Sequence, residues 1–170
     1  MNMNNQEKNS YVRKQILTTL VEMMKTEEFD SIFISRLVQK AGVGRASFYR
    51  NYKTKEDVLL QEAECLKKEC ELTQKDDVPN NMTLKLIRIL DFYKGHSEFY
   101  MTLYKSGLKH IIQDSIVDEN SISSDIPNAA AYTASAFSYL IYGWIIEWIK
   151  RGMQESGTDL AKMFEESQRT

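Results

Sequence analysis

The chain has 170 residues, 42% of them apolar and 27% charged, with only two prolines and seven glycines. That composition folds rather than staying disordered, and it favours long helices over a strand-rich fold with many turns. The net charge of −2 divides unevenly: residues 1–55 hold ten basic and five acidic side chains, residues 56–170 twelve and nineteen.

In chain order, Met1 to Ser10 is polar and lacks the apolar core of a signal peptide, so a cytoplasmic location is expected. A first helix is predicted from about Ser10 to Lys25, because Val12, Ile16, Leu17, Leu20, Val21 and Met24 recur at spacings of three and four. Residues 26–30 break that pattern. A second helix is predicted over Ile34 to Ala41, closed by Gly42, and a third over Arg45 to Tyr52. Thr54 with Asp57 forms a capping-box variant that opens a fourth helix reaching about Leu72. Gln74 to Asn81 reads as a linker. Further helices are predicted over Met82–Phe92, Ser97–Tyr104, Ser106–Glu119, Asn128–Met153 and Thr158–Ser167, with a loop over Ser121–Pro127. No strand ladder is visible, so the expected fold is all-α. A front module over residues 1–55 precedes a helical body over 56–170, and the fourth helix is able to bridge both parts.

The basic front and acidic body suit a protein whose first part meets phosphate, although chance clustering gives the same division. The turn between the second and third helices is the most specific signal. Ala41, Gly42 and Ala46 are small where two helices must approach, and Val43 and Phe48 can plug the angle between them. In a helix-turn-helix the second helix lies in the major groove. Arg45 and Arg50 suit phosphate or guanine, Ser47 a base edge or phosphate, and Tyr49 the backbone. Asn51 suits adenine. Lys53 and Lys55, at the start of the fourth helix, suit a phosphate held jointly with backbone amides. Lys55→Ala is therefore expected to lower the salt dependence of DNA binding by about one phosphate contact.

The stretch from Ile34 to Leu59 resembles the DNA-binding signature of the TetR family of transcriptional regulators. Ala41-Gly42-Val43, the Phe48-Tyr49 pair, Tyr52, and Lys55 followed by acidic residues and Leu59 carry the likeness. The resemblance implies that Tyr49 and Lys55 contact phosphate and that Arg45, Ser47, Arg50 and Asn51 lie on or beside the recognition helix. It also implies that residues 1–55 are a helix-turn-helix DNA-binding domain and 56–170 a helical regulatory and dimerisation domain, with a two-fold dimer on a double-stranded operator and, often, an effector cavity. The sequence departs from the family at Phe33, where a capping, phosphate-touching Thr is usual, and at Gly44, where Ser is common. Ser31 or Ser35 is a partial replacement for the missing cap, and Ser35 joins the candidate DNA contacts. The Tyr142-Gly143-Trp144-Ile145-Ile146-Glu147-Trp148 stretch, with Phe92-Tyr93 and Phe99-Tyr100, is similar to regulators of dihydroxyacetone kinase operons. Some of those are coactivators, so a repressor released by a small molecule and a coactivator both remain open, as does a helical interaction protein without DNA binding.

In the body, Phe92, Tyr93, Phe99, Tyr100, Tyr104, Phe137 and Trp144 are candidates to line an effector pocket, with plain core packing as the alternative. Ala134, Ser138, Ile141, Tyr142, Ile145 and Ile149, with Leu160, Met163 and Phe164, form stripes expected to build a homodimer interface. The uncharged run from Ala129 to Ile146 reads as a helix buried by partner helices rather than a membrane span. Cys65 and Cys70 have no further ligands at zinc spacing, and His96 and His110 have no completing carboxylate cluster, so neither metal nor cofactor is expected. No phosphate loop or His-Glu-x-x-His pattern is present, which points away from an enzyme.

Overall fold

The computed structural model describes residues 4–73, 82–117 and 126–167, in which helices joined by short turns are present and no strand is. The expected linker at Gln74–Asn81, residues 118–119 of the expected seventh helix and most of the loop at 121–127 lie outside the described residues. Two compact units are present, Met1–Ala63 and Glu64–Thr170. Their division falls inside the fourth helix rather than at its start.

The first unit contains α1 (Asn5–Met24), a single 3-10 turn (Phe29–Ser31), α2 (Ile34–Lys40), α3 (Arg45–Asn51) and the first half of α4 (Lys55–Thr73). The apolar face of α1 supplies Ile16, Leu20 and Met23, each fully buried, and Leu37, Phe48 and Leu59 close the core from the later helices. Each such burial stabilises by roughly 1.5–3 kcal/mol. Helices α1, α2 and α3 pack pairwise on one another. The α1 helix begins well before Ser10, because Asn4 and Glu7 make a reciprocal capping box: Asn4 Oδ1 accepts from Glu7 N–H and Glu7 Oε2 accepts from Asn4 N–H, both at 2.8 Å. The capping pair at α4 forms as expected, with Asp57 N–H donating to Thr54 Oγ1 at 3.1 Å.

The second unit contains the rest of α4 and then α5 (Met82–Gly95), α6 (Ser97–Lys105), α7 (Lys109–Ile116), α8 (Asn128–Lys150) and α9 (Gly157–Ser167). Helix α5 packs along α9, and α6, α7 and α8 pack on one another. Gly157 makes the α5–α9 approach possible: a Cβ there would lie 3.1 Å from the backbone nitrogen of Asp91 and closer still to its carboxylate. Lys94 Nζ adds a tie by donating to the carbonyls of Gln154 (3.0 Å) and Glu155 (2.6 Å). Helix α8 stops three residues before Met153. There the chain turns through left-handed Gly152 and Met153, and Met153 N–H returns to Trp148 O at 2.8 Å.

Within the unit, α8 is a helix of two halves. Ile141, Ile145, Trp148 and Ile149 are buried, whereas residues 128–140 are half-buried or exposed. Among the described residues α8 is long and apolar enough to cross a membrane, and only 11% of its apolar window is buried in the protomer. Within the protomer, the expected burial of the uncharged run Ala129–Ile146 by partner helices is met only at Ile141 and Ile145.

Candidate nucleic-acid interface and regulatory body

The turn that sets α3 against α2 is local chemistry. Gly42 adopts φ +65°, a conformation that costs other residues strain, and its neighbour's N–H (Val43) donates to Val38 O at 3.0 Å. Helix α3 then starts without a side-chain cap at Gly44. Phe48 is fully buried, and its ring meets Tyr49 edge-on at 5.4 Å and Tyr52 at 5.7 Å. This packing turns Arg45, Tyr49 and Arg50 outward, all exposed, with Ser47 half-buried between them. The Arg45 guanidinium carbon stands 5.6 Å from the Tyr49 ring centroid. The result is one short helix whose open side carries two guanidinium groups, a phenol and a hydroxyl.

Other expected contacts fall differently. The Asn51 amide donates one of its two hydrogens to Ser47 O at 2.9 Å, which ties the side chain to the end of α3 and leaves the second hydrogen and the amide oxygen for other partners. Ser35 is exposed in the first turn of α2. Phe33 at the α2 cap is 71% exposed and α2 has no side-chain cap. The Ser31 hydroxyl donates instead to Glu28 O at 2.7 Å, so it does not replace the missing cap. Arg36, which the sequence did not single out, is a surface cation held by Glu27 in a two-pronged ion pair at 2.5 and 2.8 Å.

The start of α4 is already filled by its own carboxylate. Asp57 accepts from Lys53 N–H at 2.7 Å and Thr54 N–H at 3.0 Å. Burial pushes the Asp57 pKa up, but these bonds and the Lys53 charge prevail and hold it below the usual value. Lys53 is exposed. Lys55 turns back: its ammonium donates to the carbonyls of Phe29 and of Ile32 (3.0 Å) and lies 4.4 Å from the Phe29 ring centroid. Burial there lowers its pKa against the pull of Asp30. Lys55 thus clamps the 3-10 turn that leads into the uncapped α2. Lys55→Met is expected to remove about 1.5–3 kcal/mol of stability, as two charge-assisted hydrogen bonds are lost. Operator affinity should fall with it, while the salt slope changes by less than one phosphate contact. Urea unfolding paired with a salt titration checks this, and a slope loss of a full contact at unchanged stability would restore the phosphate role.

In the second unit the aromatic candidates separate. Phe99 and Tyr100 are core, and Tyr93 stacks on Tyr100 at 4.7 Å between centroids. Phe92 lies against His96 at 4.6 Å, and Tyr104 lies beneath the Lys109 ammonium at 4.7 Å. Tyr93 and Phe137 line one cavity of about 280 Å³ with Cys70, Ile89, Ser115 and Ile141. Burial pushes the Tyr93 and Tyr100 phenols far up and the Cys70 thiol to about 11, so all three stay protonated at neutral pH. Trp144 belongs elsewhere, edge-on to Phe164 at 5.2 Å and beside a groove of about 480 Å³ between α8 and α9 that Gly143 and Met163 also line.

Of the expected dimer residues, Ile141, Ile145, Ile149 and Leu160 fill the protomer's own core, the α8 members where α8 packs on α6 and α7. Ala134 and Met163 are exposed, and Ser138, Tyr142 and Phe164 are half-buried. The Ser138 hydroxyl is turned back onto Ala134 O at 3.0 Å.

Residues 80–169 match the family model for a transcriptional regulator C-terminal region of the TetR type. The chain belongs to the TetR family. Solved structures of similar fold include a Listeria innocua protein, 18% identical, with 99% of this chain and 95% of that one covered and a TM-score of 0.77. A TetR transcriptional regulator from Streptococcus agalactiae 2603V is 18% identical, with 94% of each chain covered and a TM-score of 0.62. A putative TetR-family regulator from Syntrophomonas wolfei is 15% identical, with 91% of each covered and a TM-score of 0.64. No curated protein sequence matches. The all-α TetR fold and a role as a DNA-binding transcriptional regulator follow. The family match lies in the body, whereas the turn geometry and outward α3 side chains lie in the other unit, so the two indications are independent.

Proposed function

We propose that this TetR-family regulator is a cytoplasmic repressor whose homodimer binds a two-fold symmetric operator. The observation that carries the reading is the open side of α3, where Arg45, Ser47, Tyr49 and Arg50 project from a helix fixed by the buried Phe48. Ser35 and Lys53 flank it as backbone contacts. Selection of the full-length protein against a randomised duplex library tests it. The expected product is a palindrome with half-sites about 34–36 Å apart, or a multiple of one turn. Arg45→Ala is expected to relax preference at one position by about 1–3 kcal/mol. An unselected library, or an unchanged preference for Arg45→Ala, would count against the reading.

The likeness of the Tyr142–Trp148 stretch to regulators of dihydroxyacetone kinase operons supports a role at such an operon. A reporter behind the selected operator decides the sign of regulation: expression that rises when the protein is removed is repression, and expression that falls is coactivation. An effector role rests on the cavity at Tyr93 and Phe137. Its lining joins apolar Ile89, Phe137 and Ile141 to Lys67, Glu71 and the Tyr93 hydroxyl, which suits a small molecule of mixed polarity. Such a molecule releases DNA only if it favours one arrangement of the dimer, since equal affinity for two states shifts nothing.

A further inference from the structure

A groove of about 580 Å³ runs between the first turns of α1 and the recognition helix, lined by Asn5, Gln6, Lys8, Asn9 and Val12 on one side and Ser47 and Arg50 on the other. Asn5, Lys8, Asn9 and Val12 are spaced by three and four, so one face of α1 looks into it. The Asn4–Glu7 capping box fixes that first turn and employs the Glu7 carboxylate internally. Among the described residues no carboxylate lines the groove, and neither the Lys8 ammonium nor the Arg50 guanidinium has an ion pair or hydrogen bond. Two unpaired cations facing each other across neutral donors repel one another and attract an anion.

We propose that this groove holds a backbone phosphate of the operator strand that borders the major groove entered by α3, with Lys8 and Arg50 on either side of it. The proposal rests on the DNA-binding reading and extends the interface onto α1. The Asn5 and Asn9 amides donate to the same or the neighbouring phosphate oxygens, and Val12 closes the floor against the sugar. Arg50 thereby becomes a phosphate ligand rather than a base reader, leaving base discrimination to Arg45 and Ser47. Duplex DNA is favoured over an acidic protein segment because the groove is continuous with the outward side of the recognition helix, through Ser47 and Arg50 themselves.

Lys8 and Asn9 are exposed, so replacing them leaves the fold intact, which far-UV circular dichroism and thermal midpoints verify. Full-length parent, Lys8→Ala, Asn9→Glu and Arg45→Ala are titrated onto the selected operator at several salt concentrations. Lys8→Ala is expected to bind roughly three- to tenfold more weakly and to lower the salt slope by about one. Its loss should be the same on every operator variant. Asn9→Glu, which puts a negative charge beside the phosphate, should bind more weakly still, and ethylation of one flanking phosphate should abolish the difference between parent and Lys8→Ala. If Arg45→Ala weakens binding while Lys8→Ala keeps the parent slope, the groove assignment fails and the DNA-binding reading stands. If the parent binds no duplex, both fail. Loss of binding to an acidic peptide, with the operator slope unchanged, would assign the groove to a protein and overturn the proposal.

Discussion

Phe48→Ala is expected to remove about 3–5 kcal/mol from the first unit and operator binding with it. Phe48 has no exposed surface and contacts two aromatic rings, those of Tyr49 and Tyr52. Truncation leaves a void among side chains that hold α3 against α1 and α2, and the backbone of a seven-residue helix has little of its own to resist collapse into it. A unit of about sixty residues sits near the lower end of domain stability, so a loss of this size approaches its whole margin. Tyr52 is coupled to the same site. It is 4% exposed, and its hydroxyl accepts from Arg13 Nε at 3.3 Å, while Arg13 also donates to Gln61 Oε1 at 3.2 Å. Urea unfolding followed by circular dichroism should show an early transition split from that of the body, and Phe48→Leu, which keeps most of the volume, should show a smaller shift. Parent-like unfolding and operator affinity in Phe48→Ala would refute the view that this ring sets the recognition helix.

The helix-turn-helix was legible because its determinants are local. A glycine at φ +65°, small residues at the crossing and the Thr54–Asp57 pair lie within a few positions of the features they specify. The start of α1 was not, since its capping box lies upstream of the apolar periodicity and is built from two polar residues, Asn4 and Glu7. Lys55 shows the limit for a site. A cation at a helix start suggests phosphate, but its partners are carbonyls of Phe29 and Ile32, residues far earlier in sequence that only the packed turn brings to it. Composition also could not sort the aromatics of the body. Tyr93 reaches a cavity and Tyr100, stacked on it, fills the core, and nothing in their spacing separates the two. For α8, periodicity finds apolar faces but does not rank them. The helix is apolar on more than one side, and the isoleucine side packs inward while the side with Tyr132 and Leu140 does not.

That outward side predicts the dimer contact. Leu140→Glu combined with Met163→Glu is expected to separate the homodimer at a cost of several kcal/mol, because pairing the subunits would then bury unpartnered carboxylates. Tyr132, Ala136, Leu140 and Gly143 recur at spacings of four, four and three on exposed positions of α8. Tyr132 is 73% exposed, Leu140 38% and Met163 of α9 47%, a larger apolar display than isolated surface residues require. Gly143 and Met163 border the same groove between α8 and α9, and a Cβ at Gly143 would meet nothing within 4 Å, so a second helix can approach the backbone there. Beyond it Glu147 is held by Arg151 Nε at 2.8 Å and Lys150 Nζ at 3.4 Å, which neutralises the charge where the stripe ends. Two α8–α9 pairs are expected to form a four-helix contact across a two-fold axis. Ile145→Glu makes the contrast. Ile145 is fully buried in the protomer, so that change should unfold the body rather than free a folded monomer. Sedimentation of the parent should give a dimer, and the Leu140→Glu, Met163→Glu variant, with its helicity retained, should sediment as a monomer at the same concentration and lose affinity for a two-half-site operator while keeping weak binding to one half-site. A folded double variant that stays dimeric, or a parent that sediments as a monomer, would remove this face from the interface.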